Sequence, residues 1–167
     1  MNTEVDTDAF VAGFDYPMYI ITAAAADGGG GTSLSGCLVG FATQCSISPV
    51  RFMVCLSKLN HTYRVARNAS VLVVHIPGSG QRELAALFGE NTGDDVDKFG
   101  SCNWRQGPGG VPVLTDCPRR MIADVLDRFD LGDHVGFLLA PSQMESSSGA
   151  KPLHVSQVSE LDAGHPA

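Results

Sequence analysis

Between residues 18 and 76 β-capable apolar runs recur at short intervals, and each is cut off by a turn signal before a helix of ordinary length could form. This spacing restricts the fold more than any other feature. Residues 18–25 (MYIITAAA) stop at Asp27-Gly28-Gly29-Gly30-Gly31, where positive φ angles cost little, and predict a hairpin. A β-rich stretch over 35–47 ends at Pro49, and residues 51–56 (RFMVCL) are almost continuously apolar, as in a strand buried on both faces. After the polar break Ser57-Lys58-Leu59-Asn60, either Asn60 or Thr62 is placed to cap a short helix over 63–67. Residues 71–76 (VLVVHI) then form a further strand closed by Pro77-Gly78.

The second half continues in the same way. Leu84, Leu87 and Phe88 fall at helical spacing, with Ser79 as N-cap and Gly89 as stop, and predict the clearest helix. Residues 91–110 are rich in Gly, Asp and Pro and predict a surface excursion anchored by Phe99 and Trp104. Over 121–129 strict alternation places Ile122, Asp124, Leu126 and Arg128 on one face and Met121, Ala123, Val125, Asp127 and Phe129 on the other. Gly132-Asp133 turns the chain into a strand over 134–140, residues 146–149 form a flexible connection, and a last short strand covers 153–155. Short strands with few helices indicate a mainly β barrel or sandwich with a helical addition. A Rossmann domain is disfavoured, because Gly28 to Gly31 precede no helix and lack the dinucleotide-binding spacing.

Composition narrows the function. A chain of 167 residues suits one domain, here 1–167, with 1–12 and 157–167 expected as flexible tails. Only 17% of residues are charged, against 44% hydrophobic, a thin charged surface that favours an oligomer interface. The net charge of −7, with scattered Lys and Arg, opposes a nucleic-acid partner. Cys37, Cys45, Cys55, Cys102 and Cys117 are odd in number and lack CxxC spacing, so reduced thiols in a cytoplasmic protein are expected, without a metal. No apolar run reaches the roughly 20 residues that span a bilayer, and the acidic residues near the start lack a signal peptide's positive charge. A soluble protein with no membrane partner is expected.

The order of motifs over residues 14–155 resembles the flavin reductase-like FMN-binding split-barrel family. Tyr16-Pro17 and the strand ending at Thr22 resemble its opening Pro and Val-Thr strand, and Gly36 sits where the family places Gly before its flavin-binding segment. Cys45-Ser46-Ile47-Ser48-Pro49 resembles its Val-Ser-Leu-Asp-Pro, and Asn60-His61-Thr62 falls at its Ser-x-Thr near the flavin phosphate. The run QRELAALF (81–88), Asp97-Lys98-Phe99, Trp104 and Gly132-Asp133-His134 are similar to its Gln-x-x-Leu-Ala-x-x-Phe, Asp-Lys-Phe, downstream Trp and Gly-Asp-His. Two positions depart from the pattern. Leu38-Val39-Gly40-Phe41 replaces the hydroxyl-bearing Thr-Ala-Ser-Ser, and His75 stands where relatives often carry Asn.

The resemblance implies a Greek-key-like, dimeric split barrel that holds FMN, or FAD, in a cleft between subunits. It further implies NADH or NADPH as co-substrate and a monooxygenase as possible acceptor of the reduced flavin. Lys58, Asn60 and Thr62 would then meet the phosphate, although the same residues read equally as a helix cap. Val39, Gly40, Phe41 and Ser46 would supply an apolar wall and backbone donors, with Phe41 as ordinary core the alternative. Lys98 and Phe99, with Trp104, would cover the site or anchor their loop. His134 would approach flavin or nicotinamide, or else bond to Asp133 or to backbone. A non-catalytic cofactor-binding barrel is the alternative function.

Overall fold

The computed structural model describes residues 6–92, 96–147 and 149–163. Its frame is an antiparallel seven-stranded sheet in the order β2-β1-β5-β8-β9-β4-β3. The strands are β1 (Tyr19–Ala26), β2 (Thr32–Val39), β3 (Ala42–Ile47), β4 (Val50–Ser57), β5 (Val71–Ile76), β8 (Arg119–Asp130) and β9 (His134–Ser146). A small ladder of β6 (Trp104–Gln106) and β7 (Pro112–Leu114) lies beside it. The sheet curls until β2 approaches β4, enclosing Ile21, Val54, Leu56, Leu72, Val74, Phe137 and Leu139 as the barrel core. The fold is therefore the mainly β split barrel expected.

Local chemistry explains the joints. The Asp27 carboxylate accepts from the amides of Gly29 and Gly31, while Gly28 and Gly30 take φ of 81° and 88°, so β1 reverses tightly into β2. The β-rich stretch 35–47 is two strands, because the chain breaks at Gly40 and Phe41 before pairing with β4. β4 is half-buried over Arg51–Met53 and only later enters the core, so it is not covered on both faces as its composition suggested. Helix α2 (His61–Ala66) is capped by Asn60, whose side-chain oxygen accepts from the Thr62 amide at 2.9 Å.

Helix α3 (Arg82–Gly89) starts later than the apolar spacing implied. It has no side-chain cap: the amide of Ser79 is tied to the Lys151 carbonyl, and the Gln81 side chain braces Gly78 and Asp116 instead. The last short strand is replaced by isolated bridges at Pro152 and His154, then a 3-10 turn over Val155–Gln157. Thr7–Val11 form a short exposed helix, α1, and Val158 is buried beside Met18, Ala85 and Leu153. Ser148, within the predicted flexible connection, and residues 93–95, within the predicted surface excursion, lie outside the described residues, as do the extreme ends.

Candidate functional site

The β4–β9 ladder ends at the pair Ser57↔His134, and this end of the barrel gathers charge. The amide of Lys58 donates to the Asp133 carbonyl at 2.9 Å, and its ammonium forms an ion pair with Asp130 at 2.8 Å. Asp130 also accepts from the Gly132 amide, and these contacts, the Lys58 hydrogen bond foremost, hold its carboxyl below the usual range. His134 Nδ1 donates to Asp133 at 2.8 Å, which likewise depresses the Asp133 carboxyl. The His134 ring lies 5.4 Å from that of Phe41, tilted by 53°. Phe41 is 57% exposed, so it is an open aromatic surface and not core.

The segment feeding Phe41 is built from the opposite material. Leu38 packs with the residues around α3, and Val39 is buried in the barrel core. A Cβ at Gly40 would stand 2.7 Å from Tyr16 Cε2, so any side chain there would displace the tyrosine. Within 38–41, Phe41 alone offers an exposed side chain, and Val39 and Gly40 can contribute backbone only. Further along β3, a bulge between Gln44 and Ser46 makes room for an extra residue, exposed Cys45. Ser46 is half-buried, and its carbonyl accepts from the Gln44 side chain at 3.1 Å.

The structure brings Phe41, Lys58 and His134 together, with Asn60 two residues beyond Lys58 at the start of α2. Thr62 is turned inward, 1% exposed, with its hydroxyl 2.8 Å from that of Ser35. Lys98 and Phe99 lie on the α3 side of β2. The Lys98 ammonium is buried on the carbonyls of Gly36 (2.9 Å) and Phe88 (3.3 Å), and Phe99 packs edge-on between Phe88 and Trp104. The Trp104 indole donates to the Phe99 carbonyl at 3.1 Å, so these residues anchor their loop. Asp130 escaped the sequence reading, because its pairing with Lys58 joins positions 72 residues apart. Among the described residues no cluster could hold a metal ion, and the five cysteines are free.

The curled antiparallel sheet, with an aromatic and cationic end, is a split barrel, and comparison with known proteins assigns its class. The chain belongs to the flavin reductase like domain family, whose model matches residues 11–158. It is 27% identical over 154 residues to the FMN reductase (NADH) RutF of Acinetobacter baylyi, covering 90% of this chain and 78% of that protein. It is 28% identical over 103 residues to HsaB, the reductase subunit of a flavin-dependent monooxygenase of Rhodococcus jostii, covering 59% of this chain. The chain spans 51% of that subunit's length and 33% of another curated relative's. A crystal structure of an FMN-binding protein from Thermus thermophilus shares the fold, with a TM-score of 0.76 at 20% identity, covering 89% of this chain and 80% of that one.

Proposed function

We propose that the chain binds FMN, with FAD as an alternative, against Phe41 and His134, and mediates its reduction by NADH or NADPH. The observation that carries this reading is the exposed Phe41 ring beside His134 and Lys58. An apolar plane flanked by a cation and an imidazole suits a flat, amphipathic, phosphorylated cofactor. FMN, when bound, supplies a two-electron acceptor for hydride, so the protein's own work is to stack, orient and exclude water.

In this reading Phe41 forms the wall, the backbone of Val39 and Gly40 and the bulged strand at Ser46 supply polar contacts, and Lys58 with Asn60 meets the phosphate. His134, oriented by Asp133, presents Nε2 to the flavin or nicotinamide. Thr62 acts through Ser35, fixing α2 against β2, and Lys98 and Phe99 act by fixing the strand that runs into Gly40.

A second copy would complete the cleft. Ile47 (82% exposed), Leu131 (58%) and Phe129 (41%) are large open apolar groups outside the barrel core and support a homodimer. The relative that serves a monooxygenase as reductase subunit supports a monooxygenase as electron acceptor. The free cysteines support a reducing compartment, the cytoplasm. A non-catalytic flavin carrier is the second reading, favoured by the lack of any side-chain hydroxyl in Leu38-Val39-Gly40-Phe41.

The test is FMN-dependent oxidation of NADH and NADPH by wild type, Phe41→Ala and Lys58→Met. Loss of a charge-assisted contact worth about 1.5–3 kcal/mol should weaken FMN roughly 10- to 100-fold in Lys58→Met. Loss of a stacking partner worth about 0.5–1.5 kcal/mol should weaken it up to roughly tenfold in Phe41→Ala. Undiminished affinity in both variants would remove the site assignment, and binding without turnover in wild type would favour the carrier.

A further inference from the structure

The other end of the barrel holds a cavity of 220 Å3 that the flavin reading does not use. His134 and Ser146 are the first and last residues of the 13-residue β9, and the cavity lies at the Ser146 end. Strand register explains its lining. Met121 pairs with both Val74 and Met144, and one step outward on the same face Arg119 pairs with Ile76 and Ser146. Tyr19 and Phe52 close the sides, so the walls are mostly apolar.

The two adjacent arginines at the start of β8 have different fates. Arg120 donates to the Glu145 carboxylate and to the carbonyls of Thr115 and Cys117, and Glu145 also pairs with Arg105, so both charges are matched. Arg119 lines the cavity, and beyond its backbone ladder its side chain has no hydrogen bond, ion pair or ring contact among the described residues. The half-buried Tyr19 hydroxyl also has no partner among them. Burial pushes this phenol's pKa up, which keeps it a neutral donor. A cation and a donor beside an apolar hollow, with the one carboxylate of the lining already neutralised, select an anion with an apolar body.

We propose that this barrel mouth binds a small apolar carboxylate, with Arg119 taking the carboxylate, Tyr19 donating a second hydrogen bond, and Met121, Met144 and Phe52 enclosing the hydrocarbon. Size sets the class. A cavity of about 150 Å3 holds benzene, whereas drug-sized sites begin near roughly 300 Å3, so the fit is one aromatic ring or a short branched chain bearing the acid.

The probe is sodium benzoate at neutral pH, titrated into the full chain while the methionine methyl NMR signals and the heat of binding are followed. Saturable shifts of Met121 and Met144 are expected, with affinity at least tenfold weaker for benzamide and for Arg119→Leu, partial recovery in Arg119→Lys, and loss in Met144→Trp, which fills the mouth. Absence of saturable shifts, equal binding by Arg119→Leu, or equal binding of benzamide would overturn the proposal. So would a mouth that accepts benzoate only after a second copy is dissociated. FMN binding by Arg119→Leu should match wild type, so failure here is separable from failure of the flavin reading.

Discussion

His75 shows how much a single side chain can hold. Fully buried on β5, it donates from Nδ1 to the Ile20 carbonyl at 2.9 Å and accepts at Nε2 from the Leu114 amide at 2.9 Å. It therefore ties β1 and β7 to β5. Only the neutral ring can do both, and burial, with help from the Arg120 charge, lowers its pKa to about 4. Between pH 6.5 and about 4 the unfolded chain takes up a proton that the folded chain refuses, so stability is full above that window and falls on acidification through it. Urea denaturation at pH 7 and near pH 4.5 should show wild type losing up to about 3 kcal/mol, with much of that pH dependence gone in His75→Gln. A pH dependence identical in the two proteins would contradict the assignment. The sequence marks His75 only as a departure from the Asn that relatives often carry, because its partner Leu114 is 39 residues away.

At the scale of elements, strand β8 is where simple alternation misleads. Pairing slips between Val125 and Asp127, leaving Leu126 as the extra residue, half exposed. The bulge inverts the faces beyond it. Arg128, assigned by alternation to the side of Ile122, instead lies 5.3 Å over the ring of Phe137 in the barrel core and donates to the carbonyls of Ala66 and Ala69 below α2. Periodicity over nine residues cannot register a single inserted position.

The loop 96–110 was legible in a different way. Phe99 and Trp104 stand out as anchors, whereas the inward turn of Lys98 could not be read, since a lysine beside a Gly-rich loop ordinarily faces water. Its buried ammonium, 5.5 Å from the Phe88 ring centre, clips the last turn of α3 to β2, and burial lowers its pKa. Lys98→Met removes the donor from two carbonyls and should cost about 1–3 kcal/mol in chemical denaturation. A stability within a few tenths of a kcal/mol of wild type would show that the clip is dispensable.

At the scale of the molecule, the strand-rich pattern and its turn signals foretold a mainly β barrel or sandwich and the motif order selected the barrel, while the order β2-β1-β5-β8-β9-β4-β3 comes from pairings far apart in sequence. The site was half legible. Its aromatic, lysine and histidine lie in recognisable segments, but their meeting at one end depends on the β4–β9 register. The exposed Ile47 and Phe129 make an assembly prediction. Sedimentation should report a dimer for wild type, and Ile47→Glu combined with Phe129→Glu should shift it to monomer with weaker FMN binding. A monomeric wild type that binds FMN fully would place the whole site within one chain.

The most direct test of the central claim is a titration of flavin-stripped protein with FMN, followed by quenching of flavin fluorescence, and then anaerobic addition of NADH or NADPH. The flavin reading predicts saturable quenching, then bleaching of the flavin absorbance faster than for free FMN mixed with the same nucleotide. No quenching with either FMN or FAD, or bleaching no faster than in free solution, would contradict it.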